Sequence, residues 1–522
     1  MSIIEINPRD YQKAIFETAK EKNTLVVLPT GIGKTLIALM LAVERKKNYP
    51  LSKIVMLAPT RPLVEQHFKY FKKHLPELFA DIQLFTGSVP AEKRQKIWQS
   101  AEIIFSTPQC VTNDLENYLY NLNDVSLLVI DEAHRCLKNY DYTKVVRFYK
   151  NHSKNQRILG LTASPGHDPE KVKQIAAHLA IEEIEVRTRD SDDVKPYIKE
   201  REYTKIEIPF PPELMEIRAL LKKIYDEKVF QLKEKEYLFG PANKVTLLKL
   251  QTRLFSQLSQ KNWAALHGVS LCSQAIKISH ALELLETQTL SGFNSYMKSL
   301  LEQAAQKKTK AVQSLVKSPE FSKAFVLLEY LLAKKAEHPK IAALLEIMKS
   351  EFSDNKNAKI IVFSQFRETA QIICNNLNKI PGINSKIFIG QAKKRTRKGE
   401  QTGLSQKEQI QIIQDFKDGK INVICATSIG EEGLDIPEVS AVIFYEPIPS
   451  AIRKIQRAGR TARLQPGKLI ILVTKDTRDE IHHYAASARE RKMYKIIEQV
   501  KRELKAKPKT LSDFAATKKI SQ

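Results

Sequence analysis

A glycine-rich loop between a short apolar run and a helical stretch is well suited to hold a phosphate. The run 25–28 leads into Pro29, Thr30, Gly31, Ile32, Gly33, Lys34 and Thr35. Glycines would let backbone N–H groups wrap a phosphate, and the next helix would present its positive N-terminus. Lys34 would reach the β- and γ-phosphates of a nucleotide, and the Thr35 hydroxyl would bind Mg²⁺. The strict pattern has glycine at position 28, where this chain has Leu28.

Two adjacent acids follow a second apolar run and could hold a metal and activate water. The run 126–130 leads into Asp131, Glu132, Ala133 and His134. We expect Asp131 to hold Mg²⁺ through a bound water, and Glu132 to polarise the attacking water as general base. An acidic turn after a strand is also a common structural feature. The phosphate loop upstream in the same unit favours the catalytic interpretation.

Short apolar runs must position both segments. In the first 190 residues they lie at 25–28, 53–58, 82–85, 103–106, 126–130 and 157–161. They recur at 359–364, 386–390, 421–427, 441–445 and 468–474. Each run is short and mostly aliphatic, and a polar or glycine-containing turn follows it. This pattern is typical of buried parallel strands joined by crossover helices, so the sequence predicts an α/β protein with two parallel-sheet domains.

The stretch between these two domains has a different pattern. No convincing strand occurs between residues 211 and 337, and apolar residues lie three and four apart in 214–235 and 245–258. That spacing predicts a net basic helical insertion. We therefore divide the chain into a first domain over 1–200, the insertion over 201–340, a second domain over 341–485, and a basic helix with a disordered tail over 486–522.

Composition limits the class of partner. The 522 residues include 84 Lys and Arg against 59 Asp and Glu, a net charge of +25 that favours nucleic acid over a membrane surface. No apolar run of about 18 residues is present, and the first residues do not resemble a signal peptide. The five cysteines form no C-x-x-C pair, so neither a zinc site nor a disulfide framework is predicted. We expect a cytoplasmic protein.

Five segments in order resemble the motifs of superfamily 2 helicases of the DEAH-box kind. They are the segment 9–12, the phosphate loop, the acids at 131–134 and the segments 162–164 and 456–463. The resemblance implies two RecA-like domains that use ATP and Mg²⁺. It implies that Gln12 reads the adenine, and that Thr162, Ala163 and Ser164 link hydrolysis to strand movement.

The resemblance also assigns nucleotide contacts to the second domain. Arg460 and Arg463 would be arginine fingers, because a guanidinium is a planar, permanently charged fork that stabilises negative charge developing on the γ-phosphoryl oxygens. Gln456 would help to position the γ-phosphate, and Gly430 and Asp435 would face the nucleotide. The site would then be complete only when the two domains close on ATP.

The same resemblance implies that loops after the strands line one face of both domains and grip the phosphates of a single DNA strand. Such contacts need hydroxyls, N–H groups and basic side chains. The residues concerned are Thr60, Arg61, Thr86, Gly87, Thr107, Gln109, Ser364, Gln365, Arg367, Gly390, Gln391 and Thr427. The basic loop 393–398 adds Lys393, Lys394 and Arg395, for which a solvated loop is the alternative interpretation.

A longer stretch, residues 390–447, is similar to archaeal Hef and the Fanconi-anaemia M-type DNA translocases. The resemblance implies ATP-dependent remodelling of branched DNA, at stalled forks and Holliday junctions, with 3′-to-5′ polarity. The insertion would recognise the branch. Hef also carries a nuclease signature, E-R-K-x-x-x-D. Here Glu490, Arg491 and Lys492 are followed by Ile496 where the aspartate would stand, so we interpret these residues as part of a basic helix.

Three further alternatives remain at this point. A double-stranded-RNA-dependent ATPase of the Dicer or RNA-sensor type shares the insertion layout, but the segment 403–447 favours DNA. A nucleic-acid clamp with an inactive ATPase would have lost Lys34, Glu132 or an arginine finger, and all are present. Finally, Leu511 and Phe514 in the basic tail faintly resemble a sliding-clamp-binding peptide, for which a disordered tail is the alternative.

Overall fold

The computed structural model describes residues 6–260, 263, 265–390, 394–395, 401–427, 436–461 and 466–506. Several predicted site residues lie outside these ranges: Gln391, Lys393, Gly430, Asp435 and Arg463. The proposed clamp-binding segment at 511–514 also lies outside them. For Lys394 and Arg395 only the backbone is described.

A seven-stranded parallel sheet forms the first lobe. Its strands, in chain order, are β1 (Thr24–Val27), β2 (Lys53–Leu57), β3 (Ile82–Phe85), β4 (Ile103–Ser106), β5 (Val125–Ile130), β6 (Ile158–Thr162) and β7 (Glu183–Val186). Their spatial order is β3-β4-β2-β5-β6-β1-β7. The central strands are buried on both faces, as their unbroken aliphatic runs predict.

Seven helices cover this sheet and bury an apolar layer on each side of it. They are α1 (Asp10–Glu21), α2 (Lys34–Asn48), α3 (Arg61–His74), α4 (Ala91–Ser100), α5 (Pro108–Glu116), α6 (Asp141–His152) and α7 (Pro169–His178). Three of them, α3, α5 and α7, have proline in the first turn, where its missing N–H costs no intrahelical hydrogen bond.

A six-stranded parallel sheet forms the second lobe. Its strands are β8 (Arg201–Ile208), β9 (Ile360–Phe363), β10 (Ser385–Phe388), β13 (Val423–Ala426), β14 (Ala441–Phe444) and β15 (Gly467–Thr474), in the spatial order β10-β13-β9-β14-β15-β8. Its helices are α14 (Pro339–Asp354), α15 (Arg367–Leu377), α16 (Gln406–Lys417) and α17 (Ala451–Ala458). A separate two-stranded hairpin pairs β11 (Lys394–Arg395) with β12 (Gln401–Thr402).

One predicted boundary differs from the structure. We assigned residues 201–208 to the insertion, but they form β8, which pairs with β15 at the edge of the second sheet. An edge strand is partly exposed, and the sequence R-E-Y-T-K-I-E-I mixes charged and polar residues with apolar ones instead of forming an aliphatic run. Strand β7, which was also not predicted, is an edge strand as well.

The predicted helical insertion follows β8 and precedes β9, inside the second lobe's chain order. It comprises α8 (Pro212–Glu234), α9 (Lys244–Ser259), α10 (Ala265–Thr287), α11 (Leu290–Ala305), α12 (Lys310–Val316) and α13 (Pro319–Ala333). The helices share an apolar core centred on α8 and α10, and a smaller core joins the far end of α8 to α9. The insertion therefore has a hydrophobic interior of its own.

A terminal helix, α18 (Arg478–Ala506), joins all three parts. It begins at β15, contacts α10 of the insertion, and buries Met493, Ile496, Ile497 and Val500 in the core of the first lobe. The predicted basic helix therefore begins earlier than expected and has an apolar face. Within the described ranges, no helix has both the length and the apolarity needed to cross a bilayer.

Candidate nucleotide site and nucleic-acid track

The phosphate loop connects the end of β1 to the start of α2. Gly31 and Gly33 have φ of +86° and +83°, a conformation that side chains rarely adopt. Gly33 precedes the first residue of α2, so free N–H groups of the helix point into the loop. The Lys34 ammonium donates a hydrogen bond to the carbonyl of Leu28 at 3.0 Å, which keeps the amine at the loop's concave side.

Two residues of α1 support the loop from behind. The Gln12 amide donates to the Gly33 carbonyl at 3.2 Å and accepts from the Arg9 N–H at 2.9 Å. The Tyr11 hydroxyl donates to the Ile32 carbonyl at 2.6 Å. A side chain at position 33 would collide with Gln12. Gln12, which is predicted to bind the adenine, therefore also supports the backbone of the phosphate loop.

Asp131 lies at the end of β5 and is buried among polar groups. The Tyr142 hydroxyl donates to its carbonyl at 2.7 Å, and His67 Nε2 lies 2.8 Å from its Oδ2. Burial acts to raise the pKa of the Asp131 carboxyl, but the hydrogen bond to His67 and the nearby Lys34 charge outweigh it, so this pKa lies below its ordinary value. Asp131 is thus held ionised, as a metal ligand must be.

Glu132 occupies a strained turn directly after Asp131. Its φ is +50°, in the left-handed region that costs energy for a residue with a side chain. Its Oε2 lies 3.2 Å from His134 Nδ1, and the same nitrogen lies 3.2 Å from the Thr162 hydroxyl. His134 therefore joins the predicted general base to the end of β6, where the segment 162–164 begins.

The donor set at this site fits Mg²⁺ carried by a nucleotide. The described residues contain no group of three or more His, Cys, Asp or Glu side chains gathered as a metal cluster. His67 contacts both predicted ligands, since its Nδ1 lies 3.4 Å from the Thr35 hydroxyl. Mg²⁺ keeps several waters and often takes only one or two protein oxygens plus phosphates. The Thr35 hydroxyl and the Asp131 carboxylate are consistent with this mode of Mg²⁺ coordination.

The second lobe meets the phosphate loop through the end of α17. A Cβ on Gly459 would come within 2.7 Å of the Thr30 Cβ, so only glycine allows this approach. Ile455 on the same helix packs against the core of the first lobe. Gln456 and Arg460 flank these contacts and are buried. The structure thus places Gly459, which lies next to Arg460 in the chain, against Thr30 of the phosphate loop.

The predicted DNA loops follow neighbouring strands in each sheet. In the first lobe they follow β3, β4 and β2, which are adjacent, and in the second lobe they follow β10, β13 and β9, which are also adjacent. The carboxyl ends of parallel strands meet at one edge, so each set of three loops forms one surface. The nucleotide site follows β5 and β1 of the same sheet. Strand β5 is next to β2, and β6 separates β5 from β1.

Exposure differs among the predicted DNA contacts. Arg61, Gly87, Gln109 and Gln365 are exposed, and Thr60, Thr107 and Arg367 are half-buried. Thr86, Ser364, Gly390 and Thr427 are buried, and two of their hydroxyls already bond within the chain: Thr86 to Ser88 at 2.8 Å, and Ser364 to the Phe366 carbonyl at 3.1 Å. These buried residues shape the loops, while the exposed residues form their outer surface.

Sequence reasoning missed three side chains at these sites. His67 and Tyr142 hold Asp131, and the buried Glu446 accepts a hydrogen bond from the Gln365 N–H. His67 lies 64 residues from Asp131 and Glu446 lies 81 residues from Gln365, whereas Tyr142 lies 11 residues from Asp131. Glu446 stands in a segment that we used only for the family resemblance, and no local spacing indicated these pairings.

Comparisons with known proteins agree with this architecture. Three family models match in succession: a DEAD/DEAH box helicase over residues 9–172, the helical bundle of an ATP-dependent RNA helicase over 213–337, and a helicase conserved C-terminal domain over 339–465. The chain is similar to the crystal structure of the Pyrococcus furiosus Hef helicase domain, with 41% identity and a TM-score of 0.71 over 92% of this chain and 98% of that one.

Two curated relatives cover most of this chain. A Methanocaldococcus jannaschii protein with the provisional name ATP-dependent RNA helicase MJ1505 is 38% identical over 95% of the chain. The DEAD-box ATP-dependent DNA helicase Fancm of Drosophila melanogaster is 32% identical over 91% of it. The chain spans 61% and 33% of the lengths of these relatives. The chain belongs to the superfamily 2 DEAD/DEAH box helicases, in the group that includes the Hef helicase domain.

Proposed function

We propose that this chain is an ATP-dependent DNA helicase or translocase that acts on branched DNA, such as stalled forks and Holliday junctions. One observation carries the proposal. In each lobe the predicted DNA loops follow three adjacent strands, and the two lobes meet at the phosphate loop. A motor that moves along one strand needs two such surfaces and one shared fuel site. The printed name of the Drosophila relative, a DNA helicase, supports this substrate.

The nucleotide chemistry follows from the residues described. The loop backbone and Lys34 would hold the phosphates, and Thr35 and Asp131 would hold Mg²⁺, which neutralises phosphate charge when it is bound. Glu132 would accept a proton from the attacking water. Arg460, and Arg463 outside the described residues, would stabilise the charge that develops on the γ-phosphoryl oxygens.

The insertion offers a surface for the branch. Phe230, Phe239, Phe255 and Trp263 expose more than half of their side-chain surface at the end of the insertion far from its main core. Exposed basic residues of α9, Lys249 and Arg253, lie among them. Aromatic rings stack on unpaired bases and basic side chains bind phosphates, so this surface suits DNA whose strands separate.

Three finer parts belong to the same proposal. We assign residues 1–200 to the first motor domain and residues 341–485, together with β8, to the second, with the helices between Pro212 and Ala333 as the branch contact. We propose a cytoplasmic location, because all five cysteines are unpaired thiols, as is usual in a reducing compartment. We also propose a sliding-clamp contact through Leu511 and Phe514, on the basis of the tail's sequence alone.

A panel of substrates tests the proposed function. We expect ATPase activity to rise most with forked and four-way DNA, less with single-stranded DNA and least with plain duplex DNA. The measurement is the steady-state rate at saturating ATP, with Lys34→Ala as the blank. Equal rates on every DNA, or none above the DNA-free rate, would contradict the proposal.

A second candidate is a double-stranded-RNA-dependent ATPase. It is favoured by the printed names of the helical-bundle model and of the Methanocaldococcus relative, which both refer to RNA. Adding duplex RNA of matched length to the panel separates the two functions. A higher rate with duplex RNA than with forked DNA would make RNA the substrate.

A further inference from the structure

One helix leads from a predicted DNA loop to the nucleotide site. α3 starts at Arg61, directly after Thr60, and His67 lies six residues further along it. At about 1.5 Å per residue, this is roughly 9 Å along the helix axis. Val64 and Phe71 fix the helix in the core of the first lobe, on either side of His67 in the chain. Because α3 is one continuous helix from Arg61 to His74, a displacement of its first turn moves His67 as well.

The His67 ring lies between the two predicted Mg²⁺ ligands. Nε2 is 2.8 Å from Asp131 Oδ2, and Nδ1 is 3.4 Å from the Thr35 hydroxyl. A carboxylate can only accept, so in the neutral ring Nε2 donates to Asp131 and Nδ1 accepts from the hydroxyl of Thr35. The residue is 6% exposed, which leaves the ring little freedom to turn. It therefore sets the directions of both ligand oxygens.

We propose that His67 is a positioning residue that makes ATP hydrolysis depend on bound DNA. This inference rests on the proposed function. When the loop at Thr60 and Arg61 binds a backbone phosphate, α3 adjusts its position, and the ring of His67 carries that adjustment to Asp131 and Thr35. The oxygens of Asp131 and Thr35 would then be oriented to hold Mg²⁺ for hydrolysis. Residues that orient metal ligands commonly affect both metal affinity and activity.

Two variants of His67 and one matched control test this. His67→Leu keeps the bulk of the ring but removes both nitrogens, and His67→Gln keeps a donor that can reach Asp131. The control is His74→Leu, because His74 lies in the last turn of the same helix and its ring packs on Tyr70, with centroids 4.6 Å apart. Three quantities are measured: the ratio of ATPase rates with and without forked DNA, the affinity for forked DNA, and the gain in affinity for a fluorescent ATP analogue when Mg²⁺ is added.

We expect His67→Leu to lower the stimulation ratio by at least about tenfold and to lower the Mg²⁺-dependent gain in nucleotide affinity, with DNA affinity unchanged. His67→Gln should recover much of both, and His74→Leu should match the wild type. If the leucine variant does not fold, His67→Asn, which is too short to reach both ligands, must show the lowered ratio.

Two results would overturn the proposal. One is a wild-type stimulation ratio in a folded His67→Leu or His67→Asn protein. The other is a loss of stimulation that only parallels a loss of DNA affinity. Absence of DNA stimulation in the wild-type chain is a different outcome, since it refutes the proposed function and this inference with it.

Discussion

At the residue scale, the nucleotide site is built from side chains that hold one another in place. The sequence alone predicted Lys34, Thr35, Asp131 and Glu132, because their types follow strands at fixed spacings. It did not predict His67, whose partner Asp131 lies 64 residues away, because only the folded chain brings this residue of α3 to the end of β5. Residues inside a local motif could be predicted, and residues that support the motif from another element could not.

Glu132→Gln should abolish turnover without preventing binding. An amide cannot accept the proton from water, but it preserves the shape of the strained turn, so we expect hydrolysis to fall by about 100-fold or more. The measurement is the DNA-stimulated ATPase rate, alongside affinity for a fluorescent ATP analogue. Glu116→Gln is the control, because Glu116 is an exposed acid of the same lobe that pairs with Lys144. Retained turnover in Glu132→Gln would refute the assignment of the base.

Glu446 should make stability depend on pH. Burial raises the pKa of this carboxyl to about 7, partly offset by nearby Lys340. The folded state therefore binds the proton more tightly than the unfolded chain, and stability should fall as pH rises from about 5 to about 7. Glu446→Gln mimics the neutral acid and still accepts from the Gln365 N–H. We expect the variant to lack this fall, a difference of up to about 3 kcal/mol at pH 8.

Urea unfolding at pH 5 and at pH 8 measures this difference. The two proteins should be nearly equal in stability at pH 5, where Glu446 is protonated, and the variant should be the more stable at pH 8. The opposite order at pH 8 would mean that the ionised carboxylate stabilises the fold through its basic neighbours.

At the element scale, most of the strands that were predicted are buried on both faces, although the partly buried edge strands β3 and β10 were predicted as well. Aliphatic runs such as β5 and β9 need no tertiary information, because few other elements bury every residue. The edge strands β7 and β8 were missed because charged and polar residues interrupt their aliphatic residues. The apolar face of α18 was also missed, since its many basic residues dominate the composition of the tail.

Ile497→Ala should weaken the attachment of α18 to the first lobe. Ile497 is fully buried in that lobe's core, so its truncation should cost about 2–5 kcal/mol. Lys495→Ala, an exposed change on the same helix, should stay within about 0.5 kcal/mol of the wild type. Denaturant unfolding of both variants checks this. Equal stabilities would show that the terminal helix does not brace the first lobe.

At the scale of the whole molecule, two parallel-sheet lobes meet at the phosphate loop of the first lobe, and α18 bridges them. The predicted fold class, two parallel-sheet α/β domains with a helical bundle between them, is confirmed. The resemblance to superfamily 2 helicases is likewise confirmed. The sequence did not predict that the chain enters the second sheet, as β8, before the helical bundle begins.

Binding to DNA should weaken steeply with salt. The net charge of +25 and the loop surfaces suit contact with the phosphate backbone, which releases counterions. If about six phosphates are contacted, affinity for forked DNA should fall by on the order of a thousandfold between 50 and 200 mM salt. Fluorescence anisotropy at several salt concentrations gives the slope. A flat response would argue against a groove that follows the backbone.

The most direct test of a two-lobed DNA motor is ATP-driven dissociation of a synthetic four-way junction. We expect the wild-type chain to convert the junction into duplex products only when ATP and Mg²⁺ are both present. Lys34→Ala should bind the junction but leave it intact. Junction dissociation that proceeds equally well without ATP, or in the Lys34→Ala protein, would contradict the account.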